Sequence, residues 1–178
     1  ELTIAVDSIV TEAAILDLVS DFLAQQPPTR VRLLRETLSG TWESLLTGRA
    51  DLAIGVVDQP GPAAGIESAP LGEVAFLFVV APGHPLARAK GPITDDLLRP
   101  HRVVALADSA RQLTPMTVGL LPGQDVLTLP SMALKIDAQL RGLGCGYLPE
   151  PLIRDALAQG RLIEKPRSPA RRPAMLSY

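Results

Sequence analysis

The chain has 178 residues, 47% of them hydrophobic, and a formal net charge of −2 at pH 7. This composition supports a sizeable core and excludes a disordered chain, and the charge argues against unaided binding to nucleic acid, which needs clustered Lys and Arg. No apolar run approaches the roughly 20 residues that span a bilayer, so no membrane partner is expected.

The first third of the sequence alternates strand and helix. Apolar residues predict strands over residues 2–6 and 30–37, with an amphipathic helix over residues 8–24 between them. A short helix is then predicted to end at Gly48. Asp51 and the uninterrupted apolar run 52–57 after it predict one strand that is buried on both faces. Such a strand indicates a parallel sheet with helices on each side, and sheets of this kind bind ligands beyond the carboxyl ends of their strands.

The alternation continues on both sides of a Pro-Gly-His-Pro turn at residues 82–85. A strand is predicted before the turn, over residues 75–81, and residues 111–123 show no period because Pro and Gly interrupt them. The other predicted elements are helices over residues 93–98, 131–141 and 151–160, and strands over residues 101–107, 126–129, 145–148 and 161–164. The turn is the best boundary between two α/β lobes, whose strand ends would leave a cleft as the default ligand site.

Small hydroxyl residues and carboxylates stand where predicted strands lead into helices. They are Asp7, Ser8, Thr37, Ser39, Asp108, Ser109 and Ser131. Hydroxyl groups and free backbone N–H groups at helix N-termini bind anions, although each such residue alone is more often a helix cap. Trp42, the single Trp, is equally compatible with a core position and with a cleft wall that stacks on a planar ligand. Arg35 and Arg111 are the cationic residues near these positions.

Few groups in the sequence suit catalysis or metal binding. His84 and His101 are predicted to be exposed turn residues with no His, Cys or carboxylate at metal-ligand spacing, so neither a metal nor a cofactor is expected. The single cysteine, Cys145, lies among glycines after a helix, the reverse of a dinucleotide-binding loop, and is predicted to be an inert core residue. A lone cysteine also favours a reducing, cytoplasmic location. The basic segment 165–172 is interpreted as a solvated Pro-rich connection rather than a phosphate site.

Several motifs together resemble one bacterial family. They are the strand 2–6, GRADLAIG at residues 48–55, VVAPGHPL at residues 79–86, LRGLGCGYLP at residues 140–149 and GRL at residues 160–162. Over essentially its whole length the chain resembles the effector-binding domain of LysR-type transcriptional regulators. Two segments, GTWESLLTGRAD and ALADSAR, are most similar to a YhaJ-like subgroup of that family.

The resemblance implies an α/β fold of two Rossmann-like lobes joined by crossover strands, as in type 2 periplasmic binding proteins. Lobe I would comprise residues 1–81 and 165–178, and lobe II residues 82–164. It further implies that the N-terminal helix-turn-helix DNA-binding domain and a C-terminal helix are absent from this chain, so that DNA binding would need the missing domain. Side-by-side pairing into a homodimer or homotetramer would place residues 11–24 and 30–37 at an interface.

The resemblance also implies an effector site and no catalysis. A small, often aromatic or carboxylate metabolite would be held in the interlobe cleft and would bias the geometry of the attached DNA-binding domains. With Trp42 added as a stacking wall, the expected ligand-binding residues are Ser8, Ile9, Thr37, Ser39, Trp42, Ala107, Asp108, Ser109, Pro130 and Ser131.

Two other functions stay open. An extracytoplasmic solute-binding protein would have the same architecture, and a signal peptide upstream of the chain would favour it over a regulator. An enzyme on this fold would need acid–base groups facing the cleft, where only Asp7, Glu36 and Asp108 are available.

Overall fold

A computed structural model describes residues 1–25, 28–58, 61 and 63–178, and they form two compact units. Unit 1 comprises Glu1–Glu73, Asp108–Met116 and Met175–Tyr178, and unit 2 comprises Val74–Ala107 and Thr117–Ala174. Residues 108–116, which were expected in lobe II, belong to unit 1. Residues 165–174, which were expected in lobe I, belong to unit 2. The expected lobe boundaries stay a prediction.

Strands and helices alternate along much of the chain. The strands are β1 Leu2–Asp7, β2 Val31–Glu36, β3 Leu52–Ile54, β4 Val56–Val57, β5 Pro70–Val74, β6 Phe76–Val80, β7 Val103–Leu106, β8 Val126–Leu129, β9 Gly146–Pro149, β10 Ile163–Glu164 and β11 Ala174–Ser177. The helices are α1 Glu12–Ala24, α2 Ser39–Leu46, α3 Asp95–Leu98, α4 Met132–Leu140 and α5 Glu150–Ala158, with a 3-10 turn over Pro85–Arg88. Across the described ranges, no helix combines the length and apolar character needed to cross a membrane.

A parallel sheet with the strand order β2-β1-β3 is the centre of unit 1. Successive side chains of β1 point to opposite faces, so the sheet has a core on each side. Ala5 packs with Trp42 and Ala53 on one face, whereas Val6 packs with Ile15 of α1 on the other. The parallel sheet predicted from the sequence is therefore confirmed.

Residues 51–57 do not form one strand, so that prediction is wrong. Gly55, with φ 85°, separates β3 from β4, and β4 pairs antiparallel with β11 in a second sheet of order β4-β11-β5. A Cβ atom at Gly55 would lie 2.6 Å from Val10 Cγ2, so both the backbone conformation and the available space require glycine. The strand β5 was not predicted because its residues are largely exposed and lack an alternating pattern.

The two helices of unit 1 follow the predictions with one shift. Helix α1 begins at Glu12 rather than near Ser8, because Thr11 is the N-cap and its Oγ1 accepts the Ala14 N–H at 3.2 Å. Helix α2 matches its predicted position to within one residue, and Gly48 after it has the predicted positive φ, 68°. The sequence also predicts that Pro27 and Pro28 stop α1, and Pro27 lies outside the described residues.

Unit 2 contains an antiparallel sheet of order β10-β6-β9 and a parallel pair β7-β8. On one face of the antiparallel sheet, Val79 and Leu148 pack against Met132 of α4 and Ile153 of α5. On the other face, Phe78 belongs to a core that includes α3 and the 3-10 turn. The predicted strands and the two longer helices of this unit are confirmed, with bounds that differ from the predicted ones by a few residues at most.

Candidate functional site

The expected ligand-binding residues fall in both units. Unit 1 contains Ser8, Ile9, Thr37, Ser39, Trp42, Asp108 and Ser109, and unit 2 contains Ala107, Pro130 and Ser131. Most of the unit 1 group lies where β1 and β2 end and where α2 begins, the edge at which parallel sheets bind ligands. That all ten residues form one effector site stays a prediction.

The interpretation of the hydroxyl residues as equivalent helix caps is wrong at three of the four positions. Ser131 does cap α4, and its Oγ accepts the Leu134 N–H at 3.2 Å. Ser8 comes before the N-cap of α1, and Ser39 follows Leu38, the N-cap of α2, which has φ 53°. Asp108 begins a segment that is described throughout and contains no helix up to residue 125. The side chains of Ser39 and Asp108 contact each other instead.

Asp108 binds the start of α2. Its Oδ2 accepts hydrogen bonds from the Ser39 hydroxyl, from the Ser39 N–H at 3.4 Å and from the Met116 N–H at 2.8 Å, and Oδ1 accepts the Ala110 N–H at 2.9 Å. Desolvation raises the pKa of Asp108, but the hydrogen bonds, foremost that from the Ser39 hydroxyl, outweigh it and hold the pKa below its ordinary value. An ionised carboxylate therefore lies where the helix dipole favours an anion.

Ser109 joins the ends of β2 and the segment 108–116. Its hydroxyl donates to Glu36 Oε2 at 2.5 Å and accepts the Thr37 N–H at 2.9 Å. The same glutamate accepts a hydrogen bond from Arg49 Nη1 at 2.7 Å. A Cβ atom on Gly40 would lie 2.0 Å from Ser109 Oγ, so the first turn of α2 needs glycine at the point where this segment packs.

Glu43 is the residue of this cluster that the sequence reasoning missed. It lies on α2, is 1% exposed, and its carboxylate accepts the N–H groups of Arg111, Gln112 and Leu113 at 2.7–3.0 Å. Hydrogen bonds, that from Leu113 first, lower the pKa of Glu43. The available signal was its position four residues after Ser39, which places both residues on one face of the helix.

Asp7 and Ser8 form the end of β1. Asp7 is 4% exposed, and its carboxylate accepts the Ile9 N–H at 2.9 Å and the Thr41 hydroxyl at 2.8 Å. Burial raises the pKa of Asp7 to about 6 despite these bonds. The neighbouring Ser8 Oγ is buried and has no hydrogen-bond partner among the described residues. An orphaned buried hydroxyl at the end of a parallel strand is a position where a ligand oxygen or a water would supply the missing bond.

The structure favours the core interpretation of Trp42 over the stacking interpretation. The indole is 7% exposed and packs with Ala50, Ala53 and Val56. Arg35 has a structural contact as well, because its Nη2 donates to the Val10 carbonyl at 2.7 Å and holds the loop after β1.

The candidate acid–base groups and metal ligands have structural partners. The carboxylates of Asp7, Glu36 and Asp108 all accept hydrogen bonds from neighbouring groups. In the parts of the chain that the structure describes, no three or more His, Cys, Asp or Glu side chains are grouped so that they could hold a metal ion. These carboxylates act as acceptors that hold loops and helix α2 in place.

The histidines and the cysteine of unit 2 differ in how well they were predicted. His84 and His101 are half-buried neighbours with ring centroids 5.1 Å apart, so the prediction of exposed turn residues is wrong. Burial, followed by the charge of His101, lowers the pKa of His84. Cys145 is 0% exposed and burial raises its pKa to about 12, which confirms a core residue with very little thiolate.

Comparison with known proteins identifies the family. The pattern of the LysR substrate binding domain matches residues 1–178. The chain belongs to this family. Its LysR-type relatives include the transcriptional activator AllS of Klebsiella pneumoniae, 37% identical over 164 residues that cover 92% of this chain and 61% of AllS. The uncharacterized transcriptional regulator YeeY of Escherichia coli K12 is 33% identical over 93% of this chain and 53% of YeeY. The chain thus spans somewhat more than half the length of these curated relatives.

Solved structures of LysR regulatory domains have the same fold. The regulatory domain of MetR, a LysR family regulator from N. meningitidis, superimposes with a TM-score of 0.73 at 19% identity, covering 99% of this chain and 82% of that one. LysR regulatory domains have the two-lobe fold related to periplasmic binding proteins, so the fold class predicted from the resemblance is confirmed. The YhaJ-like subgroup stays a prediction.

Proposed function

We propose that this LysR substrate binding domain is the sensor of a cytoplasmic transcriptional regulator. It binds a small organic acid, performs no catalysis, and acts on DNA through a helix-turn-helix domain elsewhere in the full protein. Family membership and the names of the curated relatives, which are transcriptional regulators, support this proposal. The same relatives do not favour the alternative of an extracytoplasmic solute-binding protein.

One observation carries the choice of ligand class, namely the carboxylate of Asp108 at the start of α2. The Ser39 hydroxyl, the Ser39 N–H and the Met116 N–H already bind a carboxylate that belongs to the protein itself. Donors arranged in this way suit the carboxylate of a ligand equally well, because the same charge and the same acceptor geometry are involved. An effector would therefore compete with Asp108 for these donors.

Ser8 supplies a second polar contact in this proposal. Its N–H donates to the Glu36 carbonyl at 2.9 Å, which places its orphaned hydroxyl beside the end of β2. Thr37 and Ser109 complete the polar group at this edge of the sheet. Because Trp42 is buried, we assign no stacking role to it, and the participation of Ala107, Pro130 and Ser131 stays a prediction.

The experiment is a thermal-shift screen of aromatic and aliphatic carboxylates, followed by calorimetric titration of any acid that stabilises the chain. We expect Ser8→Ala and Ser39→Ala to weaken binding of that acid, while Ser20→Ala, an exposed position on α1, leaves it unchanged. If no acid raises the unfolding temperature, the sensor function is contradicted. If both site variants bind as tightly as the unmodified chain, the site is elsewhere.

We also propose that the domain forms a homodimer through α1 and β2. Leu16 and Leu23 of α1, which are seven residues apart and so lie on one face of the helix, are 59% and 48% exposed, and Leu33 of β2, which lies at the edge of its sheet, is 39% exposed. Apolar side chains grouped on a helix and an edge strand favour burial against a second copy. Sedimentation velocity should give a dimer that Leu16→Glu dissociates and that Leu143→Glu, an exposed control in unit 2, does not. A monomer, or dissociation by the control alone, would contradict this interface.

A further inference from the structure

Most residues of the basic segment 165–172 are exposed, as expected of a solvated connection, but its Arg167 and Arg171 line a pocket in unit 2. The pocket has a volume of about 270 Å³, close to the lower end of the range for small-molecule sites. Its aromatic walls are Phe76, Phe78 and Tyr147, which come from β6 and β9. All of its lining residues belong to unit 2, so it is separate from the polar residues at the start of α2.

Arg167 forms part of this wall and has an unfilled hydrogen-bond donor. Its side chain is 9% exposed, Nη1 donates to the Ile93 carbonyl at 2.7 Å, and Nη2 donates to Asp95 Oδ1 at 2.6 Å. Its Nε is buried and has no hydrogen-bond partner among the described residues. A buried charged donor without an acceptor is costly, so an acceptor that reached this wall would be bound favourably.

Arg171 covers the aromatic walls. Its guanidinium carbon lies 3.9 Å from the centroid of the Phe76 ring and 5.2 Å from that of Tyr147, as in cation–π contacts. Burial lowers the pKa of Lys135 on α4 to about 8, and repulsion by the positive charge of Arg171 is the second cause. Glu164 is the acidic residue of the lining and is exposed, so the interior of the pocket is positive.

We propose that this pocket binds a small carboxylate with a ring-sized apolar body. The carboxylate would bind between Arg167 and Arg171, because guanidinium groups match carboxylate geometry. The body would take the place of the Arg171 guanidinium on the rings of Phe76 and Tyr147, and Arg171 would turn from these rings to the carboxylate. The volume suits one six-membered ring with its carboxylate and is too small for a dinucleotide or a folded peptide. The site goes beyond the proposed effector site of unit 1 and does not depend on it.

The test uses benzoate as the probe, with acetate, benzamide and inorganic phosphate as comparisons. In the unmodified chain, a ¹H–¹⁵N titration should shift the backbone amides of Phe76, Phe78 and Tyr147 with benzoate more strongly than with the other three compounds. The same shifts should persist in Ser39→Ala, which separates this pocket from the unit 1 site. This measurement decides the question even if a pocket variant fails to fold.

Calorimetry on variants then tests the arginine. Arg171→Met should weaken benzoate binding by about tenfold or more, the scale of a lost charged hydrogen bond. Arg172→Met removes the same charge from the adjacent exposed residue and should leave the affinity unchanged. The proposal is overturned if benzoate leaves the three aromatic amides unshifted, if phosphate shifts them equally, or if the two variants weaken binding alike.

Discussion

Replacing Asp7 with asparagine should stabilise the domain at neutral pH. The carboxyl group lies in the core with a pKa of about 6 instead of 3.8, so the folded state binds a proton more tightly than the unfolded state does. The contribution of Asp7 to stability is therefore highest at acid pH and decreases as the pH rises between these two values. At about 1.4 kcal/mol per pH unit, the loss is about 3 kcal/mol above pH 6. Asparagine avoids this loss and keeps an oxygen that can accept the Ile9 N–H.

Urea unfolding at about pH 4.5 and about pH 7.5 tests this prediction, because roughly 2 kcal/mol of the loss falls between these values. The fluorescence of Trp42, the single Trp, reports the core of unit 1 directly. We expect the advantage of Asp7→Asn over the unmodified chain to grow by about that amount as the pH rises. Asp17→Asn removes one negative charge from an exposed position on α1 as a control. An advantage that is equal at both pH values would refute the reasoning.

Three further predictions concern other parts of the structure. Glu43→Gln should accelerate amide hydrogen exchange at residues 111–113 by about tenfold or more, since it removes the negative charge of their acceptor. Unchanged exchange, or equal acceleration in the exposed control Glu12→Gln, would contradict this. Gly55→Ala should destabilise the domain to urea by about 2 kcal/mol or more, because φ is 85° and Val10 is too close. Gly91 has φ 74° but open space around it, so Gly91→Ala should lower the free energy of unfolding less than Gly55→Ala does. Equal decreases for the two variants would exclude a clash with Val10 as a cause. Cys145 should resist thiol reagents at pH 8 until the chain unfolds, since burial raises its pKa to about 12, so rapid labelling of the native protein would show that the thiol is accessible.

Elements with a strong local signal were predictable from the sequence. Helix α4 has both a capping serine and a terminating glycine, and its bounds agree with the prediction within a residue. The prediction of one strand over residues 51–57 failed because hydrophobic periodicity cannot show that Gly55 turns the chain toward β11, more than a hundred residues away. The prediction failed where pairing between distant segments, rather than local propensity, decided the outcome.

The candidate site was predictable in its location but not in its hydrogen bonding. Parallel strands followed by hydroxyl residues predicted that Ser8, Thr37 and Ser39 lie at the carboxyl edge of the sheet, and the structure has them there. The sequence did not show that Asp108 and Ser109 bind this edge, because that contact joins residues about seventy positions apart. Distant pairing of this kind is set by tertiary structure. Because of it, Ser39 and Asp108, which the sequence suggested as separate helix caps, bind each other.

The antiparallel pairing of β4 with β11 has a consequence for how the domain is made. Residues 56–57 leave the ribosome long before residues 174–177, yet they share one sheet. The second sheet of unit 1 therefore stays incomplete until nearly all of this chain has been synthesised, and its polar edge on β4 must meanwhile be satisfied by water. Completion of that sheet is consequently a late event in biosynthesis, and a nascent chain halted before residue 174 should be captured by chaperones and degraded faster than the finished domain.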